Sequence, residues 1–291
     1  MNKISNLVLI PNTTKNIEPQ LITNFVDHLC NLHCRVGVFS ENMDSMSYLG
    51  DRIYEIRNND FLKQCHAAVV LGGDGSIIDA SNKLLGANIP IIGINFGHVG
   101  YLAELEINEI ELLDALTEGN YFIDERMMLD AEVYDRFGTM REKSTVLNDI
   151  VLSNGPVARL LTFDIYCGNI KIQTCRADGI IIATPTGSTA YSLSAGGPVL
   201  EPSLDCVCLT PICPHTLTSR PVIFRGDSVI RLSNILSKGT SVYVTADGRD
   251  VFALNEGDTV SIKRSEHTSK LIRIKDSGFL GVLHAKLSEN Q

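Results

Sequence analysis

The sequence predicts two domains of different class: an N-terminal parallel α/β domain of Rossmann-like type, followed by a C-terminal all-β domain of β-sandwich-like type. Three observations predict this. The chain has 291 residues, more than the usual single-domain size. In its first third, short apolar runs alternate with segments of helical period, as in a parallel sheet covered by helices on both faces. Beyond about residue 125 the period becomes two, with turn residues at short intervals, the pattern of antiparallel strands. The expected boundaries are 1–124 and 125–269, with the apolar tail 270–291 packing back on the first domain.

The elements follow in order. Leu7-Val8-Leu9-Ile10 is a short apolar strand ending at Pro11-Asn12, and Leu21, Phe25, Val26 and Leu29 share one face of a helix. Arg35–Phe39 reads as a second strand, and 41–50 as a polar, Met-containing loop. Ala67–Leu71 is an uninterrupted apolar strand, 76–85 a helix, 90–94 another buried strand, and 107–116 a helix stopped near Gly119. In the second half, 160–167 and 170–175 alternate apolar with polar residues and meet at Gly168-Asn169, a hairpin with a two-residue turn. Further strands are expected at 222–232, 241–246 and 259–263, separated by Asp247-Gly248 and Glu256-Gly257-Asp258.

Composition excludes several function classes. A net charge of −9 argues against nucleic acid or an anionic membrane as the main partner. No apolar run approaches the ~20 residues of a membrane span, and the run in MNKISNLVLIPN is too short for a signal peptide. A cytoplasmic location is expected. Eight scattered cysteines do not form a secreted disulfide framework. Cys206, Cys208, Cys213 and His215 are four possible zinc ligands. However, Cys206-Val207-Cys208-Leu209 alternates like a half-buried strand and no CxxC is present, so buried thiols and no resident metal are the reading.

Three stretches carry chemistry. From Asp178 to Pro198 the chain reads DGIIIATPTGSTAYSLSAGGP: a strand over Ile180-Ile181-Ile182, a break at Pro185 and Gly187, and a short helix through Tyr191 and Leu193, with Ser188 or Thr189 as its N-cap. Small polar residues this dense are hard to justify by packing alone. The turn is expected to present backbone N–H groups to a ligand, a bare strand–turn–helix being the other reading. The second stretch, Gly72-Gly73-Asp74-Gly75-Ser76, follows the 67–71 strand and precedes a helix, where ligands of parallel α/β domains bind. Three glycines suit phosphate, but a carboxylate among them does not, so Asp74 either caps the helix or accepts a proton or a phosphate-borne metal. It matches neither GxxxxGK[ST] nor GxGxxG. Third, Asn148-Asp149 interrupts an apolar run, and such polar groups bond to backbone in a turn or to a ligand.

Together Gly72-Gly73-Asp74-Gly75, the loop Asn95-Phe96-Gly97-His98-Val99-Gly100-Tyr101-Leu102 and the 178–198 stretch resemble the NAD kinase family. Pro211-Ile212-Cys213-Pro214-His215 and Arg220-Pro221 are similar to it as well. The glycine–aspartate loop is shared with lipid kinases and phosphofructokinases, whereas Thr186-Gly187-Ser188-Thr189-Ala190-Tyr191 is close to diagnostic. The resemblance implies transfer of the ATP γ-phosphoryl to the 2′-hydroxyl of the NAD adenosine ribose, with a divalent cation, Mg or Mn, carried by ATP. It makes Asp74 the catalytic carboxylate and Gly72, Gly73 and Gly75 its nucleotide loop. By the same carry-over Asn148 and Asp149 contact a ribose and adenine, and Thr189, Ala190, Tyr191 and Ser194 line the dinucleotide site. Arg176 is counted with the cofactor-binding residues, and Asp178 meets the nicotinamide end. One position departs: Asp149 stands where the family usually has Glu, one methylene longer. Members are typically homodimers or homotetramers, with part of the NAD site supplied by a neighbouring β domain. A lipid or sugar kinase leaves the Thr189-Ala190-Tyr191 stretch unexplained, and a non-catalytic dinucleotide sensor leaves Asp74 unexplained.

Overall fold

The computed structural model describes residues 3–12, 17–96, 100–155, 160–215, 219–236, 241–275 and 278–288. The chain divides into one unit of Met1–Glu125 with Ser269–Gln291 and a second of Arg126–Thr268. In the first unit β1 (Asn6–Pro11), β2 (Arg35–Phe39), β3 (Ile53–Ile56), β4 (Ala67–Leu71) and β5 (Ile91–Asn95) pair in parallel in the order β3-β2-β1-β4-β5. All five residues of β4 and of β5 are buried, as helices on both faces demand.

Helices α1 (Pro19–Asn31), α2 (Ser40–Met43), α3 (Asn59–Leu62), α4 (Asp74–Lys83) and α5 (Asp114–Glu118) connect and follow these strands. The inward face of α1 is Ile22, Phe25, Val26 and Leu29. Leu21, expected there, is 36% exposed, because Ile22 takes the position three residues before Phe25. Residues 41–50 are not a loop. They hold the end of α2 and a 3-10 turn over Ser47–Arg52, with Met46 and Leu49 buried at a spacing of three. α5 ends at Gly119, whose φ of 83° closes the helix in the left-handed conformation.

The second unit is a sandwich of two antiparallel sheets. β7 (Phe122–Tyr134), following the short β6 (Leu105–Glu106) of the first unit, pairs with β8 (Met140–Val146). β9 (Asp149–Asn154) begins the opposite sheet, whereas β10 (Leu161–Cys167) and β11 (Ile170–Ala177) form the expected hairpin. β12 (Gly179–Ala183) lies between β9 and β13 (Cys206–Ile212). Between these two strands the chain forms a 3-10 turn (Thr186–Thr189) and α6 (Tyr191–Ser194).

The run 222–232 is two strands in different sheets, β14 (Val222–Arg225) and β15 (Ile230–Leu236), broken at Gly226-Asp227. β16 (Val242–Ala246) and β17 (Asp250–Leu254), the latter missed from sequence, make a hairpin through Asp247-Gly248. β18 (Thr259–Arg273) is 15 residues long rather than the five expected. Its first part pairs with β15 in the second unit, and its Leu271 pairs in parallel with Ile91 in the first. The last helix, α7 (Gly278–Ser288), belongs to the first unit, where Phe279 meets Tyr101 with ring centroids 6.2 Å apart.

The six-stranded sheet, in the order β14-β13-β12-β9-β16-β17, places the site. Period two sends Ile150, Leu152, Ile180, Ile182, Val242 and Val244 into the sandwich core with Phe163, Leu129 and Val260 of the other sheet. The alternate residues Val151, Ile181 and Ala183 therefore face outward, against Ala195 from the 184–197 turn.

Candidate active site

Two sites emerge, one in each unit. In the first, β4 ends at Leu71 and α4 begins at Asp74. A Cβ on Gly72 would meet the side chain of Ser76, so residue 72 has no room for one. Asp74 is not a cap. Gly73 is the N-cap residue and makes no side-chain cap bond, while Asp74 sits in the first turn. Its carboxylate instead accepts hydrogen bonds from the backbone amides of Tyr101, at 2.9 Å to Oδ2, and Leu102, at 3.1 Å to Oδ1. A Cβ on Gly100 would fall on this carboxylate. The side chain is thus half-buried and oriented, with one amide on each oxygen, at the C-terminal edge of the parallel sheet. Gly97, His98 and Val99 of the adjoining loop lie outside the described residues.

In the second unit a cleft of about 370 Å³ opens on the outer face of the six-stranded sheet, a volume within the usual range of small-molecule sites. Asp149, Val151 and Ser153 line it from β9, Thr245 from β16, Asp247 and Gly248 from the hairpin turn, and Asn148, Ala190 and Tyr191 complete it. Asp247 organises this place. Its Oδ1 accepts from the amides of Asn148 (2.8 Å) and Asp149 (3.1 Å), and its Oδ2 from the amide of Leu147 (2.8 Å). Its φ of 48° and that of 69° at Gly248 make the tight turn that aims it there.

Asn148 is pinned from two sides: its N–H donates to Asp247, and its carbonyl accepts from Thr184 N at 2.9 Å. The turn expected between two strands is present, yet the side-chain Oδ1 of Asn148 is buried without a hydrogen-bond partner among the described residues. An orphaned acceptor on a cleft wall is what a ligand donor would satisfy. Beside it, burial and the negative charge of Asp247 push the Asp149 carboxyl up to about 7. Burial also raises Asp247, against the lowering effect of its three amide donors and Arg249.

Four hydroxyls of the 184–197 turn, on Thr184, Thr186, Ser188 and Ser192, are buried and face the fold. Thr184 Oγ1 donates to Leu147 O at 2.6 Å and accepts from Gly187 N at 3.0 Å; Ser188 Oγ donates to Pro185 O at 2.6 Å and accepts from Leu200 N. Ser192 Oγ and Thr210 Oγ1 are 2.9 Å apart, and Arg126 Nη1 donates to Thr186 Oγ1 at 3.2 Å. Their density is therefore a packing device after all, fixing the turn against the sheet. Neither Ser188 nor Thr189 caps α6: its N-cap residue is Ala190, which makes no side-chain cap bond.

Of the sequence-predicted residues, the structure brings Asn148, Asp149, Ala190 and Tyr191 together in the cleft. Thr189 flanks it, with its hydroxyl donating to Thr186 O at 3.2 Å, and Ser194 is exposed on α6. Arg176 and Asp178 stand at the end of β11 and do not line the cleft. Arg176 is exposed, and the backbone N–H of Asp178 donates to Ile212 O at 3.0 Å. Sequence reasoning missed Thr245, Asp247 and Gly248 as site residues. Cys206 and Cys208 are buried thiols of β13 and Cys213 is exposed; among the described residues no group of three His, Cys, Asp or Glu side chains is placed to hold a metal. No helix among the described residues is long and apolar enough to cross a membrane.

Comparison with known proteins finds a match for each half of the chain. Residues 15–121 match the ATP-NAD kinase N-terminal domain, and residues 147–274 the ATP-NAD kinase C-terminal domain. The chain is 44% identical over 221 residues to the NAD kinase of Symbiobacterium thermophilum, covering 76% of this chain and 77% of that one. It is 37% identical over 282 residues to the NAD kinase of Thermoanaerobacter sp., covering 97% and 98%. The fold is that of a yeast NADH kinase complexed with NADH (TM-score 0.89, 23% identity, 100% of this chain and 89% of that one). It is also that of an NAD kinase from Archaeoglobus fulgidus in complex with ATP (TM-score 0.73, 23% identity, 97% and 98%). With both halves of the chain matched by the family's domains and relatives of about 40% identity, this protein belongs to the ATP-NAD kinase family.

Proposed function

We propose that this chain's reaction, the ATP-dependent phosphorylation of NAD, moves the γ-phosphoryl to the 2′-hydroxyl of the adenosine ribose, with Asp74 as the catalytic carboxylate. The observation that carries this reading is Asp74 itself, a carboxylate set among glycines at the start of α4 and oriented by two backbone amides. Phosphoryl transfer asks a protein for positioning and charge neutralisation more than for covalent help. Gly72, Gly73 and Gly75 let the backbone approach phosphate oxygens, and the N-terminal end of α4 favours their charge. The divalent cation, Mg or Mn, arrives with the phosphates as part of the ATP substrate. Asp74 takes the proton of the attacking hydroxyl.

The cleft takes the adenosine end of NAD. Asn148 Oδ1 accepts from a ligand donor, Asp149 meets a hydroxyl or ring nitrogen, and Tyr191 gives its half-exposed ring to stacking, with Thr189, Ala190 and Ser194 beside it. Arg176 and Asp178 serve the nicotinamide end, which the β-rich half of a neighbouring copy completes in a homodimer or homotetramer. The protein works in the cytoplasm, where its eight free cysteines remain thiols.

Asp74→Asn tests the assignment. It keeps the size of the side chain but cannot accept the proton. NADP formation from ATP and NAD is expected to fall at least ~100-fold, with NAD affinity retained and the melting temperature lowered only by the loss of one of the two amide hydrogen bonds. Near-normal turnover in a normally folded variant would remove Asp74 from the chemistry.

A further inference from the structure

The amides that orient Asp74 are themselves held. Leu102 donates its N–H to Asp74 Oδ1, and its carbonyl accepts from Arg273 Nη1 at 3.0 Å. The same guanidinium donates from Nη1 to Glu104 Oε2 at 3.2 Å and from Nε to Asp124 Oδ2 at 3.1 Å. The Arg273 side chain is only 12% exposed. Glu104, buried as well, turns its other oxygen to the amides of Ile274 (2.8 Å) and Lys275 (2.7 Å), so the end of β18 and the 101–104 segment are locked together.

We propose that Arg273 is a positioning residue of the phosphoryl-transfer step, acting on Asp74 through the Leu102 peptides. This rests on the reading of Asp74 as the catalytic carboxylate. A buried ion pair by itself is a weak source of stability, and apolar residues of similar volume fill such a place as well or better. The guanidinium offers what they do not: a rigid fork that reaches one carbonyl and two carboxylates at once. Of its three acceptors, the Leu102 carbonyl belongs to the same residue as one of the amides on Asp74. Losing that grip frees the 101–102 backbone to shift, and Asp74 shifts with it. A lysine keeps the charge but has a single nitrogen, which cannot hold all three acceptors in this planar arrangement.

Steady-state kinetics far below the melting temperature decide the matter, using Arg273→Ala, Arg273→Lys, Asp74→Asn and the double variant Asp74→Asn/Arg273→Ala. Displacement of a catalytic group by about 1 Å costs up to about 100-fold, so Arg273→Ala is expected to lower kcat by about 10- to 100-fold. The KM values for NAD and ATP should stay within about twofold, as for an interaction felt in the transition state alone. In the Asp74→Asn background the same change should lower kcat by less than about twofold, because its effect runs through the missing carboxylate. Added guanidinium should restore part of the activity of Arg273→Ala. A variant that loses melting temperature but keeps kcat overturns the proposal, as does a full, multiplicative loss on top of Asp74→Asn. If Arg273→Ala fails to fold, the same two ratios are read from Arg273→Lys, alone and combined with Asp74→Asn. Near-normal turnover in Asp74→Asn sinks the reading of Asp74 and this inference with it. An inactive Asp74→Asn beside Arg273 variants of full kcat sinks this inference alone.

Discussion

Asp74 and Asp247 both accept hydrogen bonds from backbone amides, one amide on each oxygen at Asp74 and three in all at Asp247. Asp74 is half-buried at the mouth of a parallel sheet, whereas the Asp247 side chain has no exposed surface and stands near the buried Asp149. In both places the amides fix where the carboxylate points. What differs is the cost of its charge. At Asp247 burial and a second carboxyl make full ionisation of the pair expensive, so one proton is retained near neutrality. The comparison teaches that an amide cup sets geometry, while burial and a neighbouring carboxyl add a separate cost at Asp247.

Crowding the cup at Asp74 should produce the largest effect. A methyl group at residue 100 would occupy the space of the carboxylate, whose flexible side chain must leave its two amides to make room. If Asp74 has the role proposed above, Gly100→Ala is expected to lower kcat about 100-fold, with a smaller loss of melting temperature from the two amides left without their acceptor. Undiminished turnover would mean that the two amides do not set the productive geometry.

The acidic pair can be separated from the Asp74 loop by pH. The Asp149 pKa near 7 in the folded chain lies above the ordinary carboxylate value of 3.8. A raised acid binds its proton more tightly in the folded state than in the unfolded one. Its contribution to stability is complete at low pH and is lost as pH rises toward and through about 7. Asp149→Asn removes this dependence. Relative to the parent, the variant should gain about 2–3 kcal/mol between pH 5 and pH 8, the worth of two pH units at about 1.4 kcal/mol each. Melting curves of both proteins at the two pH values measure it. An equal difference at pH 5 and pH 8 would show that Asp149 does not carry the raised pKa.

The two sites were not equally legible in the sequence. Asp74 stood out because glycines after an apolar run mark a strand end, and a carboxylate among them conflicts with phosphate. The conflict is local and visible in five consecutive residues. Asp247 was hidden because Asp-Gly is also the ordinary signal of a hairpin turn, and here it does both jobs. Its partners Leu147, Asn148 and Asp149 lie about a hundred residues away and reach it only through the pairing of β9 with β16. Tertiary pairing also explains the fold errors. The run 222–232 looks continuous, but its halves serve opposite sheets, and β18 extends to 15 residues because it pairs in both units. Four hydroxyls of the 184–197 turn, whose density looked too great for packing, are buried and bonded within the fold, because composition does not say which way an oxygen faces. Arg176 and Asp178 came from family resemblance alone, and the cleft does not include them.

The smallest effect is expected at Tyr191, where the cleft has a contact of neither kind. Its ring is 46% exposed and lines the cleft beside Asn148 and Asp149, on a turn whose buried hydroxyls hold the backbone in place. Removing the ring therefore leaves the turn standing, unlike removal of any residue inside it. Base–aromatic stacking is worth about 1–3 kcal/mol, and a half-exposed ring belongs at the lower end of that range. Tyr191→Ala is expected to weaken NAD binding about tenfold, or about 1.4 kcal/mol, by the same factor at pH 5 and pH 8. Calorimetric titration with NAD at pH 5 and pH 8 reads both quantities. Unchanged affinity in a folded variant would move the adenine off the ring. An affinity loss confined to one pH would mean that the ring works through the acidic pair rather than by stacking.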